Sequence, residues 1–443
     1  MSFQSFHFHP SVVSGITAAG YSVPTPIQAK SIPHIMEASD LMGLAQTGTG
    51  KTAAFALPIL HRLMKGKSRG RVRALVIAPT RELAEQIAQS FDELGRDTRL
   101  RTLSIYGGVG ISPQIQKLRR GVDIVVACPG RLLDHIKNRN IDLSHVETLV
   151  LDEADHMFDM GFLPDIRRIL HHIPQTRQTL LFSATMPDEI RKLASDVLHK
   201  PLTVQIGISA PADTVSHALY PVAQHLKTPL LLKLLGDTDT DGSVLVFTRT
   251  KHRARHLGEV LIKAGYSSAS LQGNLSQGRR QAALDGFRSG KFRILVATDI
   301  AARGIDISRI SHVINFDIPD TPDAYIHRIG RTGRAAGTGD AFTLITGEDA
   351  HIVRAISRVV GHPIERRTLN DFDYNIPASQ KQKRDVRRTG QRTTAGPSPK
   401  AKKSFGSPGG SKSSYPGHRN RNTGRTAYTG SAGQKNRRPS GRA

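Results

Sequence analysis

Short apolar runs alternate with longer amphipathic stretches over the first 375 residues of the chain. In the first half the apolar runs are Leu41–Leu44, Ala74–Ala78, Ile124–Ala127, Thr148–Leu151 and Thr179–Phe182. Between them lie stretches such as Glu82–Leu94, in which apolar positions recur with the period of a helix that buries one face. Strands that alternate with helices are typical of parallel sheets, so this pattern predicts an α/β fold.

The same pattern stops and restarts near the middle of the chain. The segment Gly207–Thr214 reads GISAPADT, a composition of Gly, Pro and small polar residues that predicts a linker. Further apolar runs follow it, with a helix predicted between the first two: Val244–Phe247, Ile294–Ala297 and Val313–Phe316, and the helix near Arg253–Ala264. We therefore expect two α/β domains with parallel sheets, residues 1–207 and 215–370, joined by a linker at 208–214.

Residues 371–443 have a different composition. From Ile376 onward the chain holds 17 Lys and Arg against one acid, Asp385, among many Gly, Ser and Pro. Such a segment buries too little apolar surface to offset the entropy of ordering, so we expect a disordered basic tail at 371–443. The net charge of the whole chain, +25, favours RNA or DNA over a membrane as the partner.

Features of the whole chain also bear on its location. The single cysteine, Cys128, fits a reducing compartment. The N-terminus, MSFQSFHFHP, lacks the basic and apolar parts of a signal peptide, and no apolar run reaches the length of a membrane span. We expect a cytoplasmic protein, with a nuclear-import signal at Lys400–Ser404 as the open alternative.

A glycine-rich segment follows the apolar run Leu41–Leu44 and opens a predicted helix, Ala53–Met64. It reads AQTGTGKT and matches the phosphate-loop pattern G-x-x-x-x-G-K-[ST], except that Ala45 replaces the first Gly. Lys51 would neutralise the β- and γ-phosphates, and the Thr52 hydroxyl would ligate Mg²⁺. The candidate phosphate-binding residues are Ala45, Gln46, Thr47, Gly48, Thr49, Gly50, Lys51 and Thr52.

A pair of acids follows the apolar run Thr148–Leu151. At the carboxyl end of a strand, Asp152 is placed to hold Mg²⁺ and Glu153 to orient an attacking water. A lone acidic string could equally begin a surface helix. The strand, the acid pair and the upstream phosphate loop together favour a nucleoside-triphosphate site.

The phosphate loop followed by Asp-Glu-Ala-Asp at 152–155 resembles the DEAD-box ATP-dependent RNA helicases, and the likeness covers residues 3–368. Such proteins have two tandem RecA-like domains. The wording DEADHMFDMGF most resembles the bacterial RhlE-type branch. Cys128 and Gln272 depart from the family's usual Thr and His. The other matching segments are PTREL (79–83), Gly107-Gly108, PGR (129–131), SAT (183–185), FTRT (247–250), ATDIAARGIDI (297–307) and HRIGRTGR (327–334).

The resemblance assigns residues to ATP from both domains. Within residues 3–28, the Gln28 amide matches the donor and acceptor of adenine, Tyr21 packs on the purine, and Phe6 is the upstream aromatic. From the second domain, Arg331 and Arg334 would stabilise the departing phosphoryl group, and Asp306 would hold the ribose. The alternative is that Arg328, Arg331 and Arg334 form a solvated helix face, although Gly330 and Gly333 disfavour a regular helix there.

The resemblance also implies RNA contacts with low sequence preference, because phosphates and 2′-hydroxyls carry little sequence information. The implied RNA-binding residues are Pro79, Thr80, Arg81, Gly108 and Arg131 in the first domain and Arg249, Gly273 and Thr298 in the second. The implied coupling residues between the domains are Asp155, Ser183, Thr185, Gln277 and Arg280.

We thus expect an enzyme, a monomeric ATP- and Mg²⁺-dependent RNA helicase that grips single strands and opens short duplexes. Ribosomal precursors and decay intermediates are candidate RNAs. Two alternatives remain: an ATP-switched RNA clamp or annealing scaffold, and a DNA translocase of related fold. Cys128 is expected to be buried packing and His171-His172 a helix end, while His156 either contacts the coupling segment or is simply solvated.

Overall fold

The computed structural model describes residues 2–46, 48–66, 70–206, 215–237, 242–302, 310–333 and 339–377. All of them lie within one unit of the chain, Met1–Ala378. The predicted linker at 208–214 and the predicted tail from residue 378 lie outside the described residues.

The first sheet has seven strands in the order β3-β4-β2-β5-β6-β1-β7, and every neighbouring pair is parallel. Strands β2, β4, β5 and β6 are buried along their whole length, as expected for parallel strands covered on both faces. The strands are β1 (Leu41–Leu44), β2 (Ala74–Ile77), β3 (Thr102–Ile105), β4 (Ile124–Ala127), β5 (Thr148–Leu151), β6 (Gln178–Ser183) and β7 (Leu202–Gln205).

Helices cover both faces of this sheet. Alternate residues of β2 enter two separate core clusters: Ala74 and Val76 join one, and Leu75 and Ile77 join the other. The helices are α1 (Pro10–Ala18), α2 (Pro26–Met36), α3 (Lys51–Lys65), α4 (Arg81–Leu94), α5 (Ile111–Arg119), α6 (Pro129–Lys137), α7 (Ala154–Asp159), α8 (Leu163–Leu170) and α9 (Asp188–Val197), preceded by a 3-10 turn at Phe3–Phe6.

The second sheet repeats this plan with seven strands in the order β10-β11-β9-β12-β13-β8-β14, again all parallel. Its strands are β8 (Val215–Pro221), β9 (Ser243–Phe247), β10 (Ser268–Leu271), β11 (Ile294–Ala297), β12 (Ile310–Asn315), β13 (Gly339–Ile345) and β14 (Glu365–Arg366). Its helices are α10 (Lys227–Asp237), α11 (Lys251–Lys263), α12 (Gln277–Arg288), α13 (Asp299–Ala302), α14 (Pro322–Ile329) and α15 (Ala350–Val360), with 3-10 turns at Gln224–Leu226 and Gly347–Asp349.

Two parallel sheets wrapped by helices confirm the predicted fold class of tandem RecA-like domains. The apolar runs predicted as strands coincide with β1, β2, β4, β5, β6, β9, β11 and β12 to within a few residues. Six strands were not among the predicted runs: β3, β7, β8, β10, β13 and β14. In β3 and β10, polar residues interrupt the apolar pattern. In the part of the chain that is described, no helix combines the length and apolar character needed to cross a bilayer.

The start of the predicted tail at residue 371 is wrong. Leu369, Phe372 and Tyr374 pack against a core cluster of the second sheet. The Tyr374 hydroxyl accepts a hydrogen bond from the Leu369 N–H at 3.0 Å, and His225 Nε2 lies 2.7 Å from the carbonyl oxygen of Ile376. Phe372 and Tyr374 supply apolar surface to residues 371–377. The average composition of the predicted tail does not show this surface.

Candidate active site

The phosphate loop lies between the end of β1 and the start of α3. Gly48 and Gly50 have φ of 82° and 92°, in the left-handed region that favours glycine. Lys51 is the first residue of α3, and its buried Nζ donates to the carbonyl oxygen of Ala45 at 2.9 Å. Helix α3 therefore directs its free N–H groups and one lysine at the place where phosphates would bind. Thr47 lies outside the described residues.

The acid pair stands where β5 ends, and both side chains are buried. Glu153 has φ 52° and ψ 53°, a strained conformation for a residue with a side chain. Burial raises the pKa of Asp152 to about 6, although Lys51 opposes this. Burial would also raise the pKa of Glu153, but the charge and hydrogen bond of His156 lower it to about 2. Glu153 is therefore an anion at neutral pH, suited to accept a hydrogen bond from water.

A network of hydrogen bonds joins the acid segment to the end of β6. The Ser183 hydroxyl accepts from the Asp155 N–H at 3.2 Å and donates to the Thr185 carbonyl oxygen at 2.7 Å. Asp155 Oδ2 accepts from the Thr185 N–H at 2.9 Å and from the Thr185 hydroxyl at 3.1 Å. The structure thus brings together three of the residues predicted to couple the domains.

Two histidines connect the acid segment to the second sheet. His156 is 3% exposed, so the alternative that it is simply solvated is wrong. Its Nδ1 lies 2.9 Å from Oε2 of Glu153, and its Nε2 lies 3.3 Å from Nδ1 of His327 on α14. His327 Nε2 lies 3.8 Å from Oδ2 of Asp155. His327 was within a recognised segment but was not predicted as a site residue.

Arg331 follows α14 and is buried at 5% exposure. Its charge contributes to the lowered pKa of Glu153, and it lines a cavity of about 410 Å³ together with Asp155, His156 and His327. Arg334 and Asp306 lie outside the described residues. Of the two predicted arginines, Arg331 is the one among the described residues, and it lies beside the cavity next to the acid segment.

Arg328 lies on α14, the helix that precedes Arg331, and has a structural role that the sequence did not predict. Its Nε and Nη2 each donate to the Asp299 carboxylate at 2.6 Å, and its Nη1 donates to the carbonyl oxygen of Asp317 at 2.7 Å. Its guanidinium also lies over the ring of Phe247. Because Arg328 and Arg331 are both buried, the alternative of a solvated arginine face is wrong for these two residues.

The predicted adenine residues cluster beside the phosphate loop. Gln28 is 4% exposed; its Oε1 accepts from the Thr25 N–H at 2.9 Å, and its Nε2 donates to the Gly50 carbonyl oxygen at 3.1 Å. Tyr21 is 43% exposed and stacks on Phe3. Phe6 is buried in the core cluster. The amide retains one N–H and one lone pair for a base.

The first domain's predicted RNA contacts gather around Gly107 and Gly108. Thr80 caps α4 by accepting from the Leu83 N–H at 3.2 Å, directly after the buried Pro79. The Arg81 guanidinium packs so closely over Gly108 that a side chain there would collide with it. Arg131 donates to the carbonyl oxygen of Val109 at 3.1 Å.

The second domain's predicted RNA contacts follow the carboxyl ends of its strands. Arg249, after β9, lies 3.2 Å from Asp320, and its N–H donates to Asp317 at 2.9 Å. Gly273 follows β10, and Thr298 follows β11. The carboxyl edge of a parallel sheet is the usual binding edge of such folds.

Helices α4 and α12 also join the two sheets. Arg81 Nη1 donates to Oε1 of Gln277 at 3.3 Å. Arg280 contacts the buried Glu82 carboxylate, with Nη2 2.7 Å and Nε 2.8 Å from Oε1. The predicted coupling residues Gln277 and Arg280 therefore contact the first domain. Glu82 was not predicted, although it lies inside the PTREL segment.

The donors near the phosphate loop fit Mg²⁺. Burial raises the pKa of the Asp152 carboxyl, so the neighbouring groups do not fully compensate its negative charge. A hard cation that prefers oxygen ligands would supply the missing positive charge. Thr52, the second residue of α3, offers a hydroxyl beside Lys51.

Cys128 is confirmed as buried packing, and burial raises the pKa of its thiol to about 12. His171 and His172 follow the end of α8 as expected.

Comparison with known proteins agrees with this geometry. The DEAD/DEAH box helicase family model matches residues 25–193, and the helicase conserved C-terminal domain model matches residues 226–336. The ATP-dependent RNA helicase CshA of Listeria monocytogenes is 45% identical over 80% of this chain and 68% of its own length. The DEAD-box ATP-dependent RNA helicase CshA of Geobacillus kaustophilus is 43% identical over 86% of this chain and 81% of its own length.

Among solved structures, S. cerevisiae Dbp5 bound to RNA and ADP BeF3 is similar to this chain. The TM-score is 0.75 at 29% identity, covering 88% of this chain and 99% of that one.

Two RecA-like domains, with a phosphate loop and a buried acid pair in the first and a buried arginine of the second beside their shared cavity, define the class of nucleoside triphosphatases with tandem RecA-like domains. The chain belongs to the DEAD-box family of ATP-dependent RNA helicases. The relatives above carry the name CshA, so the expectation of an RhlE-type branch is not supported.

Proposed function

We propose that this helicase clamps single-stranded RNA, separates short duplexes locally, and couples both to RNA-stimulated ATP hydrolysis. The observation that carries the proposal is the buried contact of the Glu153 segment with α14 of the second domain. A water-orienting acid that is linked through His156 to the other domain works fully only when the domains are closed. RNA bound across both domains would favour closure.

The ATP chemistry is divided between the domains. Lys51 and the N–H groups of α3 bind the β- and γ-phosphates. Asp152 and Thr52 would hold Mg²⁺, which supplies charge neutralisation on the phosphate oxygens. Glu153 orients the attacking water, and Arg331 stabilises the charge that develops on the departing phosphoryl group. By resemblance, Arg334 and Asp306 act from the same side, and Gln28 with Tyr21 selects adenine.

RNA binding in this proposal uses the carboxyl edges of both sheets. Thr80, Arg81, Gly108 and Arg131 contact the backbone in the first domain; Arg249, Gly273 and Thr298 continue that path in the second. Phosphate and 2′-hydroxyl contacts give RNA preference with little sequence preference. The proposed partners are structured RNAs such as ribosomal precursors or decay intermediates. We further propose that the protein is a cytoplasmic monomer.

The substitution Glu153→Gln tests the proposal. We expect RNA-stimulated hydrolysis to fall by on the order of 10²-fold or more, because an amide orients water poorly, while ATP-dependent RNA binding persists through Lys51 and Asp152. Hydrolysis is measured by phosphate release and binding by fluorescence anisotropy of a labelled single strand.

The matched control is Glu189→Gln, an exposed acid in the first turn of α9, which should behave as wild type. If Glu153→Gln kept half of the wild-type turnover, the water-orienting role would be excluded. A wild type that hydrolyses ATP and anneals strands without separating any duplex would instead favour the clamp or scaffold.

A further inference from the structure

His156 contacts both the proposed water-orienting acid and the opposite domain. It is buried in α7, with Nδ1 2.9 Å from Oε2 of Glu153. Its other nitrogen lies 3.3 Å from Nδ1 of His327, 171 positions further along the chain. The two rings are perpendicular, with centroids 4.9 Å apart. One side chain therefore spans from Glu153 to the helix that precedes Arg331.

The protons in this chain of groups can be counted. His156 Nδ1 carries a proton because it faces the carboxylate of Glu153. A second proton lies between His156 Nε2 and His327 Nδ1. His327 Nε2 is buried 3.8 Å from Asp155 Oδ2, too far for a hydrogen bond, and burial lowers the pKa of His327 to about 4. His327 is therefore neutral at neutral pH, and its Nδ1–H donates to His156 Nε2.

We propose that His156 is a positioning residue for ATP hydrolysis, which holds the Glu153 carboxylate in its water-orienting pose when His327 of the second domain closes against it. This inference rests on the proposed role of Glu153. His156 then links domain closure to the acid, because its second nitrogen has His327 as a partner only in the closed arrangement.

The test uses the full-length protein and two variants, His156→Gln and His156→Ala. The glutamine keeps a donor of similar size. Steady-state hydrolysis at saturating RNA gives kcat and KM for ATP. We expect kcat to fall about 10–100-fold in both variants, with KM within about twofold, since the acid is misplaced while the phosphate site stays intact.

The matched control is His172→Ala, an exposed histidine after α8, which should keep the wild-type kcat and KM. A wild-type kcat in His156→Gln would overturn the inference, as would a loss seen in KM alone. Glu153→Gln is measured in parallel: if it is inactive while His156→Gln is not impaired, this inference alone fails. If Glu153→Gln remains active, the proposed function fails first.

Discussion

Gln28 shows how one buried side chain serves both the fold and a candidate base contact. Its amide is shared between the Thr25 N–H and the Gly50 carbonyl oxygen, so it fixes the start of α2 against the phosphate loop. A sequence pattern could indicate the donor–acceptor match to adenine. It could not indicate that the same amide supports the loop, since the partners lie 22 residues apart.

Gln28→Ala should raise the KM for ATP about tenfold and leave the KM for GTP little changed. A two-point base contact discriminates by about 1–3 kcal/mol, by analogy with protein–DNA readout. Loss of loop support alone would weaken the binding of ATP and GTP equally. The ratio of the KM for ATP to the KM for GTP therefore separates the two roles of Gln28. Gln116→Ala, at an exposed position on α5, is the control. A wild type that uses GTP as well as ATP would disprove adenine selection.

At the scale of elements, the first turns of α4 and α12 meet and join the two sheets. The sequence predicted Gln277 and Arg280 as coupling residues through the family resemblance alone. Their partners could not be predicted, because contacts of α12 with α4 span almost 200 positions and leave no local pattern. Most strands of the two sheets were easier to predict, because they are short apolar runs and such a run indicates a buried strand.

Arg280→Ala should lower RNA-stimulated kcat about 10-fold and raise the RNA concentration for half-maximal hydrolysis. It removes a charge-assisted contact and leaves the buried Glu82 unpaired when the domains close. Arg279→Ala is the control, because Arg279 is the adjacent residue on the same helix and is exposed. Equal kinetics for the two variants would show that this contact does not contribute to closure. The binding constant for ATP should be the same in both.

At the scale of the whole molecule, the ATP site is built from two sheets that the chain forms separately. The first provides the phosphate loop and the acid pair, and the second provides Arg331 beside the shared cavity. The sequence indicated both halves, because the phosphate loop and the acid pair each follow an apolar strand and Arg331 lies in the segment HRIGRTGR. The joining of the halves by His156 and His327 could not be predicted, because nothing in the local sequence distinguishes a buried histidine from a solvated one.

In the proposed function, the second domain completes the hydrolytic site, and the substitution Arg331→Ala tests this role. At saturating RNA and ATP, we predict that kcat falls by about 10³-fold or more, the usual effect of losing an arginine that stabilises the transferring phosphoryl group. ATP affinity, measured with a fluorescent nucleotide, should stay within about twofold, because the first domain holds the phosphates. Arg358→Ala, at an exposed position on α15, should be unaffected. If Arg331→Ala retained kcat within about tenfold of wild type, the hydrolytic site would be complete without the second domain.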